Sequence, residues 1–186
     1  MRFCHASEIW EEFPQLVPGV VAVDGIRADV SVASRIGKFT SVADDRLSSR
    51  SEAELAEIQA WRRTFSQLGL KPTQYRCASE SLLRRYRKER ALPRIHPLID
   101  LCNAVSLAFA DAENRAHARR WTNRQSAYSA VRDGTSAALI VAEAMHSTAR
   151  ADVERLVATV RDELDAVWSA RLTAEILTST SSRFEF

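Results

Sequence analysis

Apolar residues along the chain recur with different periods, and each period predicts an element. The densest stretch is HPLIDLCNAVSLAF, His96–Phe109. Pro97 suits the first position of a helix, where its missing N–H costs nothing. Leu98, Ile99, Leu101, Cys102, Ala104, Val105, Leu107, Ala108 and Phe109 then leave no polar face wide enough for a surface helix. The reading is a buried helix over Pro97–Phe109. Asp100, Asn103 and Ser106 interrupt it at steps of three and form a polar line on one side. Buried polar groups are costly unless partnered. These three therefore join an internal hydrogen-bond network or line a pocket.

Other segments follow the same logic. Arg2–His5 reads as a short strand, and Ser7–Phe13 as a short helix capped by Ser7. Gly19–Ile26 is β-branched and apolar, which predicts a core strand. Arg27–Arg50 mixes short apolar runs with Ser, Asp and Gly and reads mostly as loop, with room for one weak strand. Ser51 and Glu54 form a capping box that predicts a helix to about Leu68, closed by Gly69. A further helix is expected over Glu80–Arg90, capped by Ser79, with Leu82, Leu83 and Tyr86 inward. Asp111–His117 is polar, Ala118–Trp121 turns strand-like, and Thr135–Met145, with Glu143 as its only charge, is ambiguous between strand and helix by periodicity, its Ile140–Val141 pair and shortness favouring strand. Val153 to Ile176 make a stripe that predicts one long amphipathic helix over Ala151–Ile176, and residues 177–186 are expected to form a flexible, frayed tail. Strands and helices without βαβ alternation predict a single α+β domain over residues 1–176.

Composition narrows the class. Hydrophobic content of 46% and charged content of 27% are those of a globular domain. No run approaches the roughly eighteen apolar residues of a membrane span, and the N-terminus lacks the layout of a signal peptide. Cys4, Cys77 and Cys102 are far apart and outside metal-ligand spacing, so reduced thiols and a cytoplasmic location are expected, with no metal and no cofactor. Net charge is only +2, yet 23 of the 26 basic residues are arginine, the cation better suited to bidentate phosphate contacts. Arg84, Arg85, Arg87, Lys88 and Arg94 crowd the predicted Glu80–Arg90 helix and the loop after it. That face is a candidate for phosphate contact or a solvated face beside an acidic neighbour. WTNRQS, Trp121–Ser126, gathers amide, hydroxyl and guanidinium groups around one large aromatic and either caps a turn or faces a ligand.

Walker, dinucleotide-glycine, HExxH, paired CxxC and GxSxG motifs are absent. Four local patterns stand in order instead: PQLVPGVVAVDGI, LPRIHPLIDLCNAVSL, RRWTNRQS and GTSAALIVAEA. Together, over roughly residues 2–168, they resemble the editing domain of the bacterial phenylalanyl-tRNA synthetase β subunit as a free-standing relative. The resemblance implies an α+β fold with a mixed or antiparallel sheet and packed helices. It also implies a trans-acting deacylase that cleaves the ester of mischarged tRNA, with aminoacylated tRNA as partner and no membrane. It places Cys102 and Asn103 beside the editing pocket and Glu143 near the group that reads the substrate ammonium. Trp121, Asn123 and Gln125 then wall the pocket with Asp100, Cys102 and Ser106, and Asn103 and Glu143 act in catalysis. Arg84, Arg85, Arg87, Lys88, Arg94, Arg120 and Arg124 would meet RNA phosphates. An activated ester needs little more than a held water and donors for the developing oxyanion. For Glu143 the alternative is a structural ion pair with Arg120 or Arg124. Two other functions stay open: an RNA-binding module without a working pocket, and a small-molecule enzyme or sensor that binds free amino acids. The family carries a further strand-rich segment, with a pocket histidine, where this chain runs from Ala110 straight to Asp111. We expect residues to be missing from the written chain there, which would set neighbouring Cα atoms much more than about 3.8 Å apart.

Overall fold

The computed structural model describes residues 2–109 and 130–186 and the backbone of residues 113–116. The Ala110–Asp111 junction, the expected strand Ala118–Trp121 and the WTNRQS segment lie outside the described residues. The fold is α+β.

Its centre is a four-stranded antiparallel sheet in the order β3 (Glu113–Ala116), β4 (Ala137–Ala144), β2 (Val17–Asp24), β5 (Arg171–Ile176). β2 pairs with β4 from Val17↔Ala144 to Asp24↔Ala137 and with β5 from Gly19↔Ile176 to Asp24↔Arg171. Side chains alternate across such a strand. Val21, Val23, Ile140, Ala142 and Ala144 therefore share one face, and they pack there against α5 (Pro97–Phe109) and α6 (Ala149–Trp168). Gly19 sits on this face because α6 passes too close for a side chain. α2 (Ala33–Leu47) lies against α5.

The opposite face carries Val20, Ala22 and Leu139. It is covered by β1 (Arg2–Cys4), β6 (Arg183–Glu185) and Trp10 of α1 (Ser7–Glu12), with Leu177 and Phe184 fully buried. α3 (Ala56–Gln67) and α4 (Ala78–Glu89) build a second apolar cluster beside the first, from Ile58, Trp61, Phe65, Leu82, Leu83 and Tyr86 with Leu107 of α5. Among the described residues, no helix is long and apolar enough to cross a membrane.

Several expectations need correction. Arg27–Arg50, read as loop, contains the fifteen-residue helix α2. Val32, Ile36, Phe39, Ala43 and Leu47 repeat at steps of four and three, and all but half-buried Leu47 are buried. The helix predicted over Ala151–Ile176 ends at Trp168, because Ser169 turns into the left-handed region at φ 48°. Leu172, Ala174 and Ile176 then alternate along β5. Residues 177–186 are not a frayed tail, since Arg183–Glu185 pairs with Arg2–Cys4 and Phe184 is buried. Within polar Asp111–His117, residues 113–116 form β3 against β4.

Caps differ as well. α1 is preceded by Ala6 without a side-chain cap, and Ser7 is its first helical residue. α4 is capped by Cys77, whose Sγ accepts from the Glu80 N–H at 3.4 Å, rather than by Ser79. The Ser51–Glu54 box forms, but it closes a single tight turn over Glu52–Glu54. Leu55 is extended, and α3 starts only at Ala56. At its far end Gly69, at φ +72°, terminates the helix as expected.

Candidate functional site

α4 carries the arginine-rich face. Its inward positions Leu82, Leu83 and Tyr86 hold it in the second cluster, while Arg84 and Arg87 follow Glu80 at four and seven residues along the outer side. Glu80 is fully buried, and Glu52 is 1% exposed. An isolated buried carboxylate costs several kcal/mol, so each must be matched by cations. Glu80 receives Arg62 of α3 through Nη2 to Oε1 at 2.6 Å and Nε to Oε2 at 3.3 Å, and Arg76 Nε stands 3.5 Å from Oε1. Glu52 has Arg87 Nη1 at 2.9 Å from Oε2 and Arg84 Nη1 at 3.7 Å from Oε1.

The Arg62 guanidinium is held above its ordinary pKa, first by its hydrogen bond to Glu80, against the burial that opposes it, and then by charge, Glu52 contributing. Glu80 holds Arg62 by two hydrogen bonds and has Arg76 beside it, whereas Glu52 attracts Arg84 and Arg87 by charge alone, its buried Oε2 accepting no hydrogen bond. Four guanidiniums against two carboxylates leave the cluster positive. The arginine side chains remain a third to a half exposed.

The other predicted cations divide. Arg85 is tied to Glu89 at 2.9 Å, both exposed. Lys88 and Arg94 are exposed and have no carboxylate partner among the described residues. Arg90 closes α4 in the left-handed conformation and reaches Asp44 at 2.8 Å, beside the Tyr86 hydroxyl that donates to the same carboxylate at 3.1 Å. Arg120 and Arg124 lie outside the described residues, as do Trp121, Asn123 and Gln125.

Asn103 and Glu143, the two residues expected to act in catalysis, are not brought together. Asn103, on α5, lies on the face of the sheet shared with α6. Glu143 neighbours Ala142 and Ala144 on β4 and so projects from the opposite face, where its Oε1 is 2.9 Å from His5 Nε2. The expectation that they share one cavity fails, because the sheet stands between them. Glu143 has His5 as its near neighbour on that face, with the His5 ring edge-on to Phe3 and Trp10. Asp100 belongs to the internal network. Its Oδ1 accepts from the backbone N–H of Ile95 at 2.9 Å and of His96 at 3.4 Å, tying down the start of α5. Ser106 and Cys102 are buried, and burial pushes the Cys102 thiol up to about 12, which leaves it no nucleophile.

Sequence reasoning missed Glu52, Glu80, Arg62 and Arg76. Their signal was partly present, since Arg76, Glu80 and Arg84 stand at steps of four. It also missed the pairing of His146 with Asp152 at 2.8 Å. Burial alone would raise the Asp152 pKa, but hydrogen bonds from Thr148, His146 and Arg155 together hold it below the usual carboxylate range.

Comparison of the chain with protein-family models, with curated proteins and with solved structures finds no match.

Proposed function

We propose that this protein is an RNA-binding module that grips the phosphate backbone of tRNA through the outer face of α4. The observation that carries this reading is the pair of buried carboxylates, Glu52 and Glu80, each paired with two partly exposed arginines, with exposed Lys88, which has no carboxylate partner among the described residues, on the same helix. Phosphate contact by arginine is bidentate and releases condensed counterions, so a fixed positive face is what such binding requires. The resemblance to a synthetase editing domain supports tRNA, aminoacylated or not, as the RNA. It also supports ester hydrolysis in trans. The separation of Asn103 from Glu143 by the sheet favours binding over that hydrolysis.

Fluorescence anisotropy with charged and uncharged tRNA, between about 50 and 200 mM salt, tests the reading, with ester release followed in the same samples. Salt-dependent binding without ester loss above the spontaneous rate is expected. Ester release would make the protein a deacylase. Binding of free amino acids without salt-dependent RNA binding would refute both.

A further inference from the structure

The geometry points to Glu52 and Glu80 as positioning residues of the RNA face, acting through the arginines they anchor. This rests on the RNA-binding reading above. Counting charge alone gives the opposite expectation, since a carboxylate near a bound phosphate repels it, and removing one should tighten RNA binding.

Three observations stand against the simple count. Both carboxylates are buried beneath the arginines, so neither meets a bound phosphate directly. Each has two guanidiniums beside it: Arg62 from α3 and Arg76 from the loop before α4 on Glu80, and Arg84 and Arg87 from successive turns of α4 on Glu52. Glu52 is delivered to that place by a dedicated device. The Ser51 backbone N–H and hydroxyl both bond Glu54 Oε2 at 2.7 Å, closing the tight turn, and extended Leu55 keeps that turn from continuing into α3. Long, flexible arginines lose substantial rotamer freedom when they order on a ligand. Arg62, hydrogen-bonded twice to buried Glu80, has lost much of it on folding, and the ion pairs of Arg84 and Arg87 with buried Glu52 bias those two side chains towards one region, so phosphate meets a partly pre-formed face.

Two substitutions at one position separate charge from placement. Glu52→Gln removes the charge and keeps the shape, whereas Glu52→Asp keeps the charge and shortens the reach by one methylene. Placement predicts weaker tRNA binding in both, by about threefold to tenfold, the range of ordinary coupling energies. Introducing Glu52→Gln into Arg84→Ala/Arg87→Ala should then cause no further loss, because nothing remains to be positioned. A merely structural role would weaken the doubly substituted protein again. Thermal unfolding of every variant, with Gly19→Ala as a destabilised control outside this face, identifies loss by unfolding; Glu80→Gln repeats the test if Glu52 variants do not fold. Equal or tighter binding by Glu52→Gln, with wild-type binding intact, overturns the placement and leaves the RNA reading standing. Absence of wild-type binding overturns both.

Discussion

Gly19→Ala probes how β2 is seated on α6. A Cβ at this position would stand 2.5 Å from Val157 Cγ2, 2.6 Å from Val153 Cγ1 and 3.2 Å from Ile176 Cδ1. Carbon atoms prefer about 3.5–4.0 Å, so close to an ångström must be absorbed on two sides. Neither valine yields easily. Both are β-branched residues within a helix, where one rotamer dominates, and Val153 is fully buried. Overpacking of this kind costs about 1–3 kcal/mol, while replacing glycine returns about 0.5–1 kcal/mol by restricting the unfolded chain. The net expectation is a loss of about 1–2 kcal/mol, a fall in Tm of about 2–8 °C for a domain of this length. Thermal unfolding followed by circular dichroism measures it. Adding Val157→Ala should relieve part of the clash, so the double variant should lose about 1 kcal/mol less than the sum of the single losses. An unchanged or raised Tm for Gly19→Ala, or strict additivity, would refute this packing.

Phe184→Ala should cost about 3–5 kcal/mol in urea unfolding, since the ring is 1% exposed under the sheet; a loss below about 0.5 kcal/mol would mean the C-terminal strand is dispensable. Thiol labelling of the native protein at pH 8 should modify exposed Cys4 quickly and reach buried Cys77 and Cys102 only on unfolding. The folded chain also keeps the Cys102 proton to about pH 12, whereas an ordinary thiol loses it near 9.0. The corresponding stability is complete below that ordinary value and is lost as pH rises towards 12, by up to about 1.4 kcal/mol per pH unit. Cys102→Ala should flatten that alkaline decline.

The elements that the chain announces most clearly are those with one dominant period. The buried α5 and the strands β2 and β4 follow from near-continuous apolar runs. α2 was harder to see because Gly37, Thr40, Ser41, Asp44 and Asp45 dilute an apolar spacing that is nonetheless regular. The α6–β5 boundary was ambiguous for a geometric reason. Leu172 and Ile176 satisfy a helical step of four and a strand step of two, and only left-handed Ser169 decides between them. The C-terminal strand was hidden because Phe184 finds its neighbours Phe3 and Val20 at the other end of the chain. Within the candidate site, arginine density was legible on α4. Of the two buried carboxylates, Glu80 was partly legible from its steps of four to Arg76 and Arg84, and Glu52 was not, since it belongs to a turn remote from α4 in sequence. Alternation along β4 sets Glu143 opposite Ala142, but no local pattern says which face α5 will cover.

Salt dependence of tRNA binding by the wild-type protein and by Arg84→Ala/Arg87→Ala tests the central claim most directly, with Arg84→Lys/Arg87→Lys as a variant that keeps the charge above Glu52. The slope of log affinity against log salt should be clearly negative for wild type and should flatten by roughly 1.4–1.8 on losing the two arginines, at about 0.7–0.9 per phosphate contact. The lysine variant should keep most of the slope and lose affinity, because lysine cannot reproduce the bidentate fork. A wild-type slope near zero, or an alanine variant with the wild-type slope, would contradict the account and leave the arginine face of α4 a solvated surface.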